Sequence, residues 1–310
     1  MDGAAMSALL WKPTLAATLP PDADLDALPY PLWASPKIDG FRCMGQRGTA
    51  VTRKGLRYRN TAVQALFEES DGEYEGLDGE LCVGPPWAAD VFNRTQNVVN
   101  DGSDTAAKEF FRHGFFHVFG LYGRLSSSPP EVMFAKLRLL KGLDKLRIVP
   151  QTVVTDKDRL LSFEARCLAK GYEGVMLRRC DGPGYPQKPG KENRSTLREF
   201  HLVKLKRFEY DEAVITGWRH LEHNLNEEKT VAGRRSSKKS GCVVDEARVG
   251  SVTLRDGAHE FSVNVQTDAL RAKGPAWWSR QVGRQVRYTH QSVGRKELPR
   301  FPQCKFEELL

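Results

Sequence analysis

Five short segments pair apolar runs with isolated charges: Lys37-Ile38-Asp39-Gly40-Phe41-Arg42, Leu77-Asp78-Gly79-Glu80-Leu81, Phe116-His117-Val118-Phe119, Glu173-Gly174-Val175-Met176-Leu177-Arg178 and Leu202-Val203-Lys204-Leu205-Lys206. Leu77 to Val83 reads as a short strand in which Asp78-Gly79 makes a sharp backbone feature that aims Glu80, while Val175 to Leu177 and Leu202 to Leu205 are apolar enough for buried strands, where a charge is costly unless it meets a partner. Their polar ends are therefore expected to face a cleft. Lys204 and Lys206 alternate, so both point to one face of their strand, and two cations there call for an anion. A phosphate group is the natural one.

The segments between them supply helices. The first 36 residues are rich in Pro, Leu and Ala and end Pro29-Tyr30-Pro31-Leu32-Trp33-Ala34-Ser35-Pro36, which cannot continue as helix. Lys37 thus follows a strand or lies in a loop. From Asn60 to Ser70, Ala62, Val63, Leu66 and Phe67 recur at helical spacing opposite Gln64, Glu68 and Glu69, predicting a surface helix. Phe92 to Asn97 is polar and short. Glu131 to Leu140, after Pro129-Pro130, and Asp158 to Lys170, stopped by Gly171, are two further helices.

After Phe208 the pattern changes. Apolar runs of three to five residues, as at 213–215, 250–254, 261–265 and 285–288, alternate with glycine and charge. Regularly spaced short strands predict a small barrel. Between its first two strands, Lys229 to Lys239 carries five basic residues and no acidic one. It reads as a cationic loop.

A chain of 310 residues can build two domains. Its 47 Lys plus Arg against 39 Asp plus Glu give a net charge of +8, which favours a polyanionic partner without identifying one. The cysteines at 43, 82, 167, 180, 242 and 304 contain no C-x-x-C pair and no zinc spacing, so reduced thiols in a cytoplasmic protein are expected. The apolar stretch Met6 to Trp11 is too short for a membrane span and lacks a basic leader.

The charged residues of the five segments suit phosphoryl chemistry as a set. Lysine is a poor nucleophile while protonated and needs cationic neighbours to shed its proton; Arg42, Lys204 and Lys206 could supply that field to Lys37. Attack on an α-phosphate is helped by Mg²⁺, which takes oxygen ligands, and Glu80 and Glu173 are the candidates. Phe119 could stack on a purine, a contact worth about 1 to 3 kcal/mol. Taken singly, each has a plainer reading: a solvated Lys37, a salt-bridged Glu80 or Glu173, a core Phe119.

In this order the segments resemble the covalent nucleotidyltransferases, and within them the minimal ATP-dependent DNA ligases of viruses and bacteriophages. The resemblance extends to Pro13-Thr14-Leu15-Ala16-Ala17-Thr18-Leu19, Thr52-Arg53-Lys54-Gly55 with Arg59-Asn60, Phe92-Asn93-Arg94-Thr95, Arg194-Ser195-Thr196-Leu197-Arg198-Glu199 and Pro299-Arg300-Phe301-Pro302. It implies an α+β fold: a nucleotidyltransferase (ATP-grasp-like ligase) adenylation domain with antiparallel sheets over 1–208, then a small β-barrel OB-fold domain over 209–310 with a basic latch-like insertion at about 222–241. It implies that Lys37 attacks ATP to give lysyl-AMP, that AMP passes to the 5′-phosphate of a nick in duplex DNA, and that the 3′-hydroxyl displaces it. Arg42 and Arg53 resemble residues that orient AMP and the 5′-phosphate, Glu80 the ribose contact, Phe119 the adenine-stacking ring and Glu173 a metal-linked carboxylate. Lys204 and Lys206 resemble the α-phosphate motif, and Arg194 a participant in the second step.

Arg59, Arg94, Lys229, Arg234, Arg235, Lys238 and Lys239 are the expected DNA contacts, with Lys229 to Lys239 at the latch position or else a solvated loop. ATP and Mg²⁺ are the implied cofactors, nicked DNA the partner, and a monomer in the cytoplasm, or host cytoplasm if virus-encoded, the expected form. Two departures stand out. Gly120 replaces the Asp the family commonly has, and after Arg300 the expected basic residues that orient pyrophosphate are reduced to Lys305, so that the first step either uses Arg300 and Lys305 or is slower. RNA-capping enzymes and RNA ligases share the lysine motif, but Arg178 and the absence of Asp and Trp in the last motif favour DNA ligase over a capping enzyme. NAD-dependent ligases carry a four-cysteine zinc site that this chain lacks. A non-catalytic DNA-binding protein on a ligase scaffold is the alternative of another class.

Overall fold

The computed structural model describes residues 10–140, 142–188, 192–226, 238–257, 259–291 and 298–309, and the chain divides into two compact units, Met1–Lys206 and Arg207–Leu310. In chain order the first unit holds β1 (Ala17–Thr18), β2 (Leu32–Pro36), β3 (Phe41–Gln46), β4 (Thr49–Thr52), α1 (Thr61–Glu68), β5 (Leu77–Val83), α2 (Val91–Val99), α3 (Asp104–His113), β6 (Gly114–Leu121), α4 (Pro130–Arg138), β7 (Leu146–Ile148), β8 (Thr152–Val154), α5 (Lys157–Ala169), β9 (Gly174–Arg179) and β10 (Val203–Lys206). They form two five-stranded sheets, ordered β1-β10-β9-β2-β8 and β4-β3-β5-β6-β7, in which all ladders are antiparallel except β1–β10 and β6–β7.

Side-chain alternation on these strands decides where the polar groups go. Leu32 and Ala34 of β2, Val175 and Leu177 of β9, and Val203 and Leu205 of β10 bury one face of the first sheet against Leu160, Phe163 and Cys167 of α5. The intervening Trp33, Ser35, Met176, Arg178, Lys204 and Lys206 must take the other face. In the second sheet Leu77, Leu81, Val83, Phe116 and Val118 pack with Val63 and Phe67 of α1 and Phe134 and Leu137 of α4. That leaves Asp78, Glu80, His117 and Phe119 on the opposite face.

The helices begin where polar caps stand. The Asn60 side chain accepts from the Ala62 and Val63 amides, Ser103 from Ala106 and Asp156 from Arg159, while Pro130 opens α4. One expectation is corrected: Gln64 does not lie on the solvent face of α1. It is buried, its amide bonding Ala50 on both backbone groups and the Tyr58 carbonyl, so it ties the helix to β4. The polar stretch around Phe92 to Asn97 is the middle of a helix, α2, and α3 was not legible as a periodic pattern.

The second unit holds β11 (Glu209–Asn224), β12 (Cys242–Asp256), β13 (His259–Asn264), α6 (Asp268–Arg271), α7 (Gly274–Ser279), β14 (Gln285–Gln291) and β15 (Arg300–Cys304). Its sheet runs β13-β12-β11-β14-β15, every ladder antiparallel, and the edge strands β13 and β15 approach one another. This is the partly open five-stranded arrangement of an OB-fold. Ile215, Val252, Leu254, Val263 and Trp278 form its core, with the Trp278 indole donating to the Leu270 carbonyl at 3.1 Å. β11 and β12 are far longer than the sequence pattern indicated, because register shifts near Gly217 and His220 carry the ladder past glycine and charge to Asn224 opposite Cys242.

Candidate functional site

The polar faces of both sheets of the first unit open into a cavity of about 240 Å³. Seven of the residues singled out from the sequence line it: Lys37, Arg42, Arg53, Glu80, Phe119, Arg194 and Lys204. Trp33, Ser35, Gln151, Met176 and Arg178 are among the other residues of the wall. Met176 and Arg178 sit inside a quoted motif, and alternation from Lys204 across the sheet would have found them.

Lys37 emerges from the end of β2, where its amide donates to the Gly174 carbonyl at 2.9 Å and fixes it beside the start of β9. Its ammonium group bonds one Glu173 carboxylate oxygen, and the Lys206 ammonium bonds the other. Glu173 and Lys206 thereby join the cavity group through Lys37. Burial would raise the Glu173 carboxyl, but the two ammonium groups hold it below the ordinary range. Lys206 is lowered by burial and then by the charge of Lys37; Lys204 is lowered by burial and then by both neighbouring lysines. Two ammonium groups thus share one carboxylate with a third, that of Lys204, within reach of its charge, and the positive charge of the three in a half-buried setting favours an anion.

Arg42 stands opposite Glu80 in the β3–β5 ladder. Its Nε and Nη2 donate to the two oxygens of Asp78 at 2.5 Å each, and its guanidinium lies 4.8 Å from the Phe119 ring centroid. From the sequence Asp78 reads only as part of a backbone feature that aims Glu80, with no role for its carboxylate; its place two residues before Glu80, on the same strand face, was the available signal. Burial pushes Glu80 up to about 7, with Arg42 and Lys37 opposing and Asp39 and Asp78 reinforcing the shift. Glu80 faces His117 across β5 and β6, and burial lowers that imidazole to about 4, so it is neutral near pH 7.

The remaining residues are dispersed. Arg53 follows β4 at an exposed turn, and Arg194 reaches the cavity while pairing with Glu192 at 3.2 Å. Arg59 is exposed, and Arg94 pairs with Asp90 at 3.4 Å and packs over Gly84; neither lines the cavity. Lys238 and Lys239 are exposed at the root of β12, whereas Lys229, Arg234 and Arg235 lie outside the described residues. Arg300 opens β15 with its side chain outside the description, and Lys305 is exposed in the same unit. Among the described residues no three His, Cys, Asp or Glu side chains converge as a metal site, and no helix is long and apolar enough to cross a membrane.

No family model and no curated protein matches the chain. Among solved structures it resembles Chlorella virus DNA ligase-adenylate, with 25% identity, a TM-score of 0.51, and 94% of this chain and 97% of that one covered. It also resembles a Lig E DNA ligase, with 20% identity, a TM-score of 0.68, and 96% and 99% covered. The chain has the fold of the minimal ATP-dependent DNA ligases of the viral type, over nearly its whole length.

Proposed function

We propose that the chain is an ATP-dependent DNA ligase that seals nicks through a lysyl-AMP and then a DNA-adenylate. The observation that carries this reading is the pairing of Lys37 and Lys206 on Glu173, with Lys37 at the wall of a cavity that Arg42, Glu80, Phe119 and Lys204 also line. In the first step the deprotonated Lys37 Nζ bonds to the α-phosphorus of ATP, the α–β anhydride breaks, and pyrophosphate leaves. Lys204 and Lys206 neutralise charge developing on the α-phosphate, the commonest source of such rate gains. Phe119 stacks the adenine, Glu80 meets the ribose, and Arg42 orients the nucleotide.

In the second step an oxygen of the nick 5′-phosphate takes AMP from Lys37, returning the amine, with Arg53 and Arg194 at the cavity edge to hold the incoming phosphate. In the third the 3′-hydroxyl attacks that phosphate, forming the phosphodiester and releasing AMP. Mg²⁺ commonly binds through one or two carboxylates together with nucleotide phosphates; Glu173, whose oxygens Lys37 and Lys206 bond here, and Glu80 are the carboxylates that would hold it, and it would neutralise phosphate charge there. Arg59, Arg94 and the basic segment from Lys229 to Lys239 are assigned to the DNA backbone, and Arg300 with Lys305 to the pyrophosphate.

The experiment is sealing of a 5′-phosphorylated nick in duplex DNA. ATP should be required and AMP produced one-for-one with each bond. Sealing that proceeds equally with NAD in place of ATP, or none with a nicked duplex while nicked RNA is joined, would contradict the assignment.

A further inference from the structure

Gly120, the departure from the resembling family, faces Asp78 in the β5–β6 ladder, beside that ladder's register shift. A Cβ at Gly120 would stand 2.9 Å from Tyr185 Cε2 and 3.4 Å from Asp78 Cβ. The Tyr185 ring, 1% exposed, is held edge-on by Trp11 at 5.3 Å and by Tyr122 at 6.1 Å, so it cannot easily retreat. It occupies the space that a side chain at position 120 would need.

The phenol ends in a closed ring of hydrogen bonds. Its hydroxyl donates to Asp78 Oδ2 and accepts from the Thr14 amide at 3.4 Å. The Thr14 carbonyl accepts from Arg42 Nη2 at 3.2 Å, and Arg42 grips both Asp78 oxygens. Thr14, Asp78 and Tyr185 are each buried to within 1%. An Asp78 carboxylate bonded only by Arg42 could swing about its last torsion and carry the guanidinium with it; the Tyr185 hydroxyl removes that freedom.

We propose that Tyr185 is a positioning residue that, through Asp78, sets the angle of the Arg42 guanidinium against Phe119, and that glycine at position 120 is the space this arrangement requires. The proposal rests on the nucleotidyl-transfer reading, in which Arg42 orients the reacting phosphates. Tyr185 acts at a distance from the chemistry, where small misplacements still reach the rate.

The test is a double-substitution cycle. Tyr185→Phe keeps the ring over Gly120 and removes only the hydroxyl. In the parent it should lower the sealing rate constant by about tenfold with about a twofold change at most in KM for ATP; in an Arg42→Lys background, where the two-point grip is gone, it should cost no more than about twofold. An equal loss in both backgrounds identifies ordinary packing and overturns the proposal, as does no loss in the parent. Gly120→Asp, which restores the family's carboxylate, should lower activity, and a gain would overturn the spatial argument. Failure of the nucleotidyl reading is recognised separately, because the unsubstituted chain would then take no label from ATP.

Discussion

Glu80 carries the most consequential single ionisation in the cavity. Its carboxyl is raised by burial from 4.5 to about 7, so the folded state keeps a proton over a range in which the unfolded state has lost it. Stability therefore falls as pH rises from about 4.5 to 7, and the full cost stands above that window. Discounted for the partial solvent contact of this side chain, the cost is roughly 1–2 kcal/mol. Glu80→Gln, which has no charge to bury, should raise the melting temperature near pH 8 and leave it unchanged near pH 4.5, while weakening nucleotide labelling. A gain of equal size at both pH values would show that the side chain's charge is not what costs stability. Glu173 is the contrasting case: its two ammonium partners outweigh burial, and it stays ionised where Glu80 does not.

At the level of elements, what the sequence made legible was short apolar runs and the two-residue period of a strand. The strands around Met176 and Lys204 were readable because they are apolar enough to be buried, and alternation placed Lys204 and Lys206 on one face. Gln64 was misread because its polarity is satisfied by backbone inside the fold, a tertiary contact that periodicity cannot reveal. Tyr185 was passed over for a similar reason: it lies in an irregular Pro- and Gly-containing segment, and its role exists only through Asp78, more than a hundred positions earlier. The long β11–β12 hairpin ends at its described tip in Lys238 and Lys239, and the basic segment joins the two strands beyond Asn226. Deleting residues 229–239 should weaken binding to nicked DNA and flatten its salt dependence, since each lost phosphate contact removes close to one unit of log–log slope. Self-adenylylation should be unchanged. Superimposable binding curves for deletion and parent across salt concentrations would remove these residues from the DNA interface.

For the whole molecule, a net charge of +8 and an OB-fold unit following the unit that holds the candidate site suit the proposed function, which requires holding a polyanion during chemistry on phosphates. The account nevertheless depends on one bond. Incubation of the intact chain with α-labelled ATP and Mg²⁺, followed by peptide mapping, tests it most directly. The predicted result is AMP on Lys37 as a phosphoramidate, stable to base and labile to acid, and absent from Lys37→Ala. Full labelling of Lys37→Ala, or an adduct that maps to any other residue, would contradict the central claim.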